Sequence, residues 1–204
     1  MKLAAGIFCA LCTVVGFAEE GYLEPLITES EIAEKIAEAA QVLNREYEGK
    51  EVIVIANLKG AVCLAADLIR ELQCPFSLEF IRCSSYGMRG DSRGDLTISG
   101  LDNMNIEGKE VLVIDDIFDS GYTMAAVVQQ IKEKNPSSVK SLVLLEKKTH
   151  RRCVSYEPDY VLFKIDDYFV VGYGLDYKEY FRGLKGVYNL VLEKLPGNGY
   201  ARAR

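Results

Sequence analysis

Apolar positions along this chain follow two alternating rhythms, one of short β-branched runs and one of residues spaced three and four apart. Thr28-Glu29-Ser30-Glu31 has the T-x-x-E form of a capping box, in which each side chain satisfies the other's orphan backbone N–H. Ile32, Ile36, Ala39, Ala40 and Leu43 follow at helical spacing, so the predicted helix packs one face on a core. Glu51–Ala56 (EVIVIA) predicts a buried strand. Gly60 to Leu72 reads as a helix with Leu64, Ala65, Leu68, Ile69 and Leu72 on one side, and Phe76–Ser84 alternates as a strand does. The polar stretch Ser85–Asn103, with Gly87, Gly90, Gly94 and Gly100, predicts a long loop without secondary structure, which in a compact domain is usually a functional lid or is disordered. Order resumes with a strand at Glu110–Asp115 (EVLVID), a helix at Thr123–Lys134 and a strand at Val139–Leu145. Short strands follow at Tyr160–Lys164, Phe169–Val171 and Val187–Leu192, and then a loose tail from Gly197.

Strands alternating with helices between residues 51 and 145 predict β-α-β units, hence a doubly wound α/β fold whose mostly parallel central sheet carries helices on both faces. Ligands of such sheets sit past the carboxyl ends of the strands. Functional residues are therefore expected just after Ala56, Ser84, Asp115 and Leu145. A chain of 204 residues suits one large domain, here 21–195, flanked by an apolar extension at 1–20 and a tail at 196–204.

The first twenty residues admit two readings. Lys2, an apolar run from Leu3 to Phe17 and Ala18 before Glu19-Glu20 resemble a secretory signal in residues 1–18, and equally an apolar extension. A net charge of −6 argues against a broad basic face for nucleic acid and leaves room only for a local patch. One histidine, His150, excludes a His-rich metal centre. Six scattered cysteines read as thiols rather than a disulfide framework, and Cys9-x-x-Cys12 stands without a second pair.

The segment Val111-Leu112-Val113-Ile114-Asp115-Asp116-Ile117-Phe118-Asp119-Ser120-Gly121-Tyr122-Thr123 carries the chemistry. A turn over Asp119–Thr123 at a helix start aims backbone N–H groups at one point, with Ser120 and Thr123 adding hydroxyl donors, and so cradles a phosphate. Gly121 permits close backbone approach. Asp115 and Asp116 would repel an anion and suit sugar hydroxyls or Mg²⁺. There is no G-x-x-x-x-G-K-[ST], and Gly172-Tyr173-Gly174 lacks the third glycine of a dinucleotide fingerprint.

This D-D-x-x-D-S-G-x-T run resembles the phosphoribosyl-pyrophosphate motif of type I phosphoribosyltransferases. Leu58-Lys59-Gly60 is similar to the pyrophosphate loop of their hypoxanthine-guanine members, and Ser84-Ser85-Tyr86 to the start of their flexible loop. Leu145–Thr149 resembles the segment with the purine-reading lysine, Phe169–Tyr177 the base-binding stretch, and Glu179–Arg182 the region of a pyrophosphate-contacting arginine. The blocks stand in family order over residues 25–195.

The resemblance implies a small hood built from the chain ends, and phosphoribosyl transfer from phosphoribosyl pyrophosphate to N9 of hypoxanthine or guanine. Asp119 matches the general base that takes the purine N7 proton. Leu58, Lys59, Gly60, Asp115, Asp116, Asp119, Ser120, Gly121, Tyr122, Thr123 and Arg182 match donor-binding positions. Asp115 stands where the family usually has Glu. Lys147 matches the donor to O6, Phe169 the stacking ring, and Val170 the backbone contact to the base. Asp176 matches a ligand of a second Mg²⁺ and a reader of the 2-amino group; Asp115 and Asp116 are the other metal positions. Ser85 and Tyr86 belong to the loop that closes over substrates. The family's peptide before the loop lysine implies a cis or switchable Leu58–Lys59 bond. Implied partners are the donor and a 6-oxopurine, with no nucleic acid or membrane, in a homodimer or homotetramer. The donor is intracellular, which favours a cytoplasmic enzyme over an exported one. A xanthine-preferring relative and a nucleotide- or RNA-binding regulator of the same fold are the alternatives.

Overall fold

The computed structural model describes residues 22–85 and 96–192. The signal-like segment, Tyr86 and the tail lie outside the described residues, so nothing there bears on their readings.

Sequence rules account for most elements. Helix α1 (Glu29–Glu46) starts at the expected capping box: Glu31 N–H donates to Thr28 Oγ1 at 3.3 Å, and Thr28 N–H donates to Glu31 Oε2 at 2.8 Å. The stripe Ile32, Ile36, Ala39, Ala40 and Leu43 is buried. Strand β2 (Val52–Leu58) and helix α2 (Val62–Glu71) follow, then β3 (Phe76–Ser85). Strand β5 (Glu110–Phe118) leads into α3 (Tyr122–Lys132), β6 (Ser138–Lys147) and β7 (Tyr160–Ile165).

Two strands run against expectation. Strand β1 (Leu23–Ile27) precedes the capping box, and β4 (Leu96–Ser99) interrupts the polar stretch that reads as structureless. β4 forms because Ile98 buries its side chain while Ser84↔Thr97 and Cys83↔Ile98 pair antiparallel with β3.

The six-stranded sheet has the order β4-β3-β2-β5-β6-β7, parallel except at β4. Helices α1 and α2 pack Ile36, Leu43, Leu64 and Leu68 on one face with Val54, Leu112 and Leu144. Helix α3 packs Met124, Val127, Val128 and Ile131 on the other, with Ile55, Val113 and Val143. Coverage of both faces explains the unbroken apolar runs of β2, β5 and β6. The three-stranded hood, β1-β9-β8, joins the start of the described chain to β8 (Val170–Val171) and β9 (Val187–Leu190).

From β2 the chain crosses to β3 on one side, and from β5 to β6 on the other. The crevice between the carboxyl ends of β2 and β5 is thus the topological switch point, where such sheets bind ligands.

Candidate active site

Strand β5 is longer than its apolar run suggests. Asp115 and Asp116 lie within it, since pairing continues to Ile117↔Leu145 and Phe118↔Glu146. Asp115 is 6% exposed and is held by Asn57, whose Nδ2 lies 3.2 Å from both carboxylate oxygens. Asn57 in turn accepts from the Cys83 N–H at 3.3 Å, so one amide ties β2, β3 and β5 together at the crevice. Burial, and then the neighbouring Asp116 charge, push the Asp115 carboxyl well above the usual carboxylate range. Burial also raises Asp116, against the opposing pull of Arg182. Neither carboxylate has an ion-pair partner among the described residues.

The loop after β2 touches this pair. The Leu58–Lys59 peptide is cis, as the resemblance implies. Gly60 abuts Asp116 so closely that a Cβ there would lie 1.6 Å from Asp116 Oδ2. On its other side, the Gly60 carbonyl oxygen lies 2.1 Å from where a Cβ of Gly174 would stand. Gly174, at φ +97°, brings the hood turn onto the loop. From that turn Arg182 donates to the Gly174 carbonyl at 2.8 Å and pairs with Asp176 at 2.7 Å. Glu179 pairs with Lys59 at 2.7 Å.

At the end of β5 the chain turns into α3. Gly121, at φ +81°, makes the turn, packed between Val154 and Phe118, and Ser120 Oγ accepts weakly from Tyr122 N–H at 3.4 Å. Tyr122 begins α3 with an exposed ring, and Thr123 is half-buried. Asp119 meets Arg151, whose guanidinium lies 3.2 Å from Oδ1 and 3.1 Å from Oδ2. Arg151 also pairs with Asp167 at 2.5 Å, and Asp167 lies 3.8 Å from Lys147. Lys147 ends β6 and is buried; that burial pulls its ammonium below the usual lysine range, while Asp119 and Asp167 oppose the shift. Phe169 is 42% exposed and stands edge-on to Tyr177, with centroids 5.5 Å apart. Val170 is buried in β8, opposite Asn189. Ser85 is the last residue of β3.

The structure therefore gathers the expected residues into two adjoining groups. One holds the 58–60 loop, Asp115, Asp116, Asp176 and Arg182; the other holds Asp119 and Lys147. Among the described residues no three His, Cys, Asp or Glu side chains form a cluster that could hold a metal ion, and Asp176 pairs with Arg182. Asn57, Arg151, Asp167 and Glu179 escape sequence reasoning, because each acts on a partner that only the fold brings near.

A phosphoribosyl transferase domain model matches residues 27–178. The hypoxanthine-guanine phosphoribosyltransferase of Aquifex aeolicus is 41% identical over 167 residues, which are 81% of this chain and 93% of that protein. The bifunctional protein TilS/HprT of Listeria monocytogenes is 43% identical over 78% of this chain, which spans only 24% of that longer protein. A crystal structure of a Bacillus anthracis hypoxanthine-guanine phosphoribosyltransferase, at 39% identity, superposes with a TM-score of 0.77 over 82% of this chain and 98% of its own. The Trypanosoma cruzi hypoxanthine phosphoribosyltransferase in complex with the product IMP is 35% identical, with a TM-score of 0.78 over 85% of this chain and 97% of its own.

Proposed function

Because the chain belongs to the phosphoribosyl transferase family, with hypoxanthine-guanine enzymes among its relatives, we propose that it is a purine salvage enzyme. It transfers the 5-phosphoribosyl group from phosphoribosyl pyrophosphate to N9 of hypoxanthine or guanine, giving IMP or GMP and pyrophosphate. The observation that carries this reading is the Gly60–Asp116 contact at the switch point. It sets the loop bearing Lys59 against two carboxylates of β5, with Asp119 just past the end of that strand and Lys147 at the end of the neighbouring β6.

The chemistry divides between the two groups. Lys59 and Arg182 hold the pyrophosphate; Ser120, Gly121, Tyr122 and Thr123 hold the 5-phosphate at the amino end of α3. Asp115 and Asp116 hold the ribose hydroxyls. Two adjacent carboxylates, Asp115 buried and Asp116 half-buried, with no ion-pair partner among the described residues, also fit a hard divalent ion. Enzymes of this family generally use Mg²⁺, and here Asp115 and Asp116 would hold it. When bound, the ion neutralises charge on the departing pyrophosphate. Asp176 acts on the donor through Arg182, which it fixes at 2.7 Å.

Lys147 donates to the purine O6, Phe169 stacks on the base, and the Val170 backbone meets the base edge. Asp119 takes the N7 proton; to do so it exchanges Arg151 for the purine. Residues 21–195 form the working domain, which acts in the cytoplasm as a homodimer or homotetramer. Among the described residues no helix is long and apolar enough to cross a membrane.

Pyrophosphate release is measured with the donor and each of hypoxanthine, guanine and adenine. Lys147 can only donate, so it opposes the 6-amino group of adenine, and a site built for a hydrogen bond rejects the wrong partner by up to about 10⁴–10⁵-fold. Release with the two oxopurines and essentially none with adenine is expected. Lys147→Gln, whose amide also accepts, narrows the gap. Release independent of any base overturns the assignment.

A further inference from the structure

The two cations assigned to pyrophosphate are engaged by one carboxylate of the chain itself. Glu179 Oε2 lies 2.7 Å from Lys59 Nζ and 3.4 Å from Arg182 Nη2. A single oxygen thus bridges a lysine on the β2 loop and an arginine on the hood turn, as a phosphate oxygen would.

The turn is shaped to present this carboxylate. Lys178, Glu179 and Phe181 adopt φ of +51°, +71° and +74°, a region that residues with a Cβ seldom occupy. Asp176 Oδ2 accepts the Glu179 N–H at 2.8 Å, and Tyr177 and Tyr180 exchange backbone hydrogen bonds at 3.1 and 3.0 Å. The same Asp176 fixes Arg182 through its other oxygen. The bond to Lys59 holds the Glu179 carboxyl below the usual carboxylate range. Its side chain is 65% exposed, so it can swing into water when an anion arrives.

Resting on the assignment of Lys59 and Arg182 to pyrophosphate, we propose that Glu179 is an intramolecular competitor for that anion. It lowers the affinity of the site for pyrophosphate, and hence for the donor, by the fraction of molecules in which the cations are already paired. As pyrophosphate departs, Glu179 recaptures both cations and opposes rebinding of the product. Glu179 is thus an affinity-determining residue that touches neither the purine nor the reacting carbon.

Titration calorimetry with inorganic pyrophosphate and Mg²⁺, on the full chain and without purine, tests this. Glu179→Gln keeps the shape and removes the charge. It should tighten pyrophosphate binding about two- to fivefold, the weight of an exposed ion pair, and strengthen product inhibition by pyrophosphate in proportion. In a Lys59→Gln background the same change should gain less, because one of the two pairs is already gone. Unchanged or weaker binding by Glu179→Gln, or an equal gain with and without Lys59, overturns the proposal. Wild-type binding that Arg182→Gln weakens while Glu179→Gln leaves it unchanged sinks this inference and spares the site assignment. No binding of pyrophosphate by the wild-type protein sinks both.

Discussion

Gly60 carries the tightest steric constraint in the site, and replacing it by alanine probes the whole arrangement. The new Cβ would stand 1.6 Å from Asp116 Oδ2 and 2.3 Å from its Cγ. The loop cannot retreat toward the hood, where the Gly60 carbonyl already lies 2.1 Å from the Cβ position of Gly174. The Asp116 carboxylate must therefore swing away or the β2 loop must lift. Forcing an extra methyl into a packed position costs about 1–3 kcal/mol. For a protein of this size each kcal/mol lowers Tm by about 2–4 °C, so Gly60→Ala should lose roughly 2–12 °C. Displacing a positioned group by about 1 Å costs about 100-fold in rate, so kcat/KM for the donor should fall by about that factor. Gly183→Ala is the stability control, since nothing lies within 4 Å of its Cβ position. It should stay within about 0.5 kcal/mol of wild type. Thermal unfolding and initial rates of IMP formation give both readouts. Adding Asp116→Ala to Gly60→Ala removes the colliding atoms, so it should recover most of the lost Tm and none of the rate. A Gly60→Ala protein with wild-type Tm and wild-type rate would refute the contact, and with it the placement of the loop against Asp116.

Asp119→Asn should lower kcat by about 10²–10⁴-fold with a much smaller change in substrate KM, and an unchanged kcat removes Asp119 from proton transfer. Activity should vanish in excess chelator and return with Mg²⁺; full turnover in chelator would refute a metal at Asp115 and Asp116. Asp115→Asn should raise Tm at neutral pH in the presence of chelator, because burial and the Asp116 charge raise the Asp115 pKa in the folded state. A raised carboxyl gives stability that is complete below its ordinary value and lost as pH rises through the folded one. The Tm advantage of the variant should therefore be absent near pH 3 and grow above about pH 4, the ordinary carboxyl value; a constant difference at all pH values would count against the burial argument.

What could be read in advance divides by the range over which each signal acts. The capping box at Thr28 and the stripe from Ile32 to Leu43 are local, and both stand as read. The parallel core also follows from local composition, because only strands covered on both faces carry runs like VIVIA or VLVI. Strand β5 reads short because two acids follow its apolar run, whereas pairing with β6 carries the backbone on to Phe118. Strand β1, with Glu24 and Pro25, lacks a strand's composition and exists by pairing with β9, where Leu23 meets Leu190. The site shows the same division. The phosphate turn is contiguous and therefore legible. The Asn57–Asp115 bond spans 58 residues and the Lys59–Glu179 pair spans 120, so no spacing along the chain announces them.

These long-range pairs give the site a consistent electrostatic logic. Lys59 and Arg182 face Glu179 and Asp176; Lys147 and Arg151 face Asp167 and Asp119. Each assigned binding cation is thus matched by a carboxylate of the chain; the Lys59 and Arg151 pairs are exposed and worth only about 0.2–1 kcal/mol, whereas Arg182 and Lys147 are set deeper. Pairs of that strength keep long side chains oriented, yet an incoming phosphate or purine displaces them at small cost. Asp115 and Asp116 differ. Asp115 is buried among β2, β3 and β5 beside the half-buried Asp116, and a neutral amide rather than a cation holds it. Displacing a partner is therefore not how they bind. They offer a negative site without an ion-pair partner among the described residues, to which a ligand must bring positive charge or hydroxyl donors. A ribose on a divalent ion supplies both, and a bare phosphate supplies neither. The direction in which the donor lies across the crevice follows from that contrast, with pyrophosphate toward Lys59 and Arg182, the ribose over Asp115 and Asp116, and the 5-phosphate at the amino end of α3.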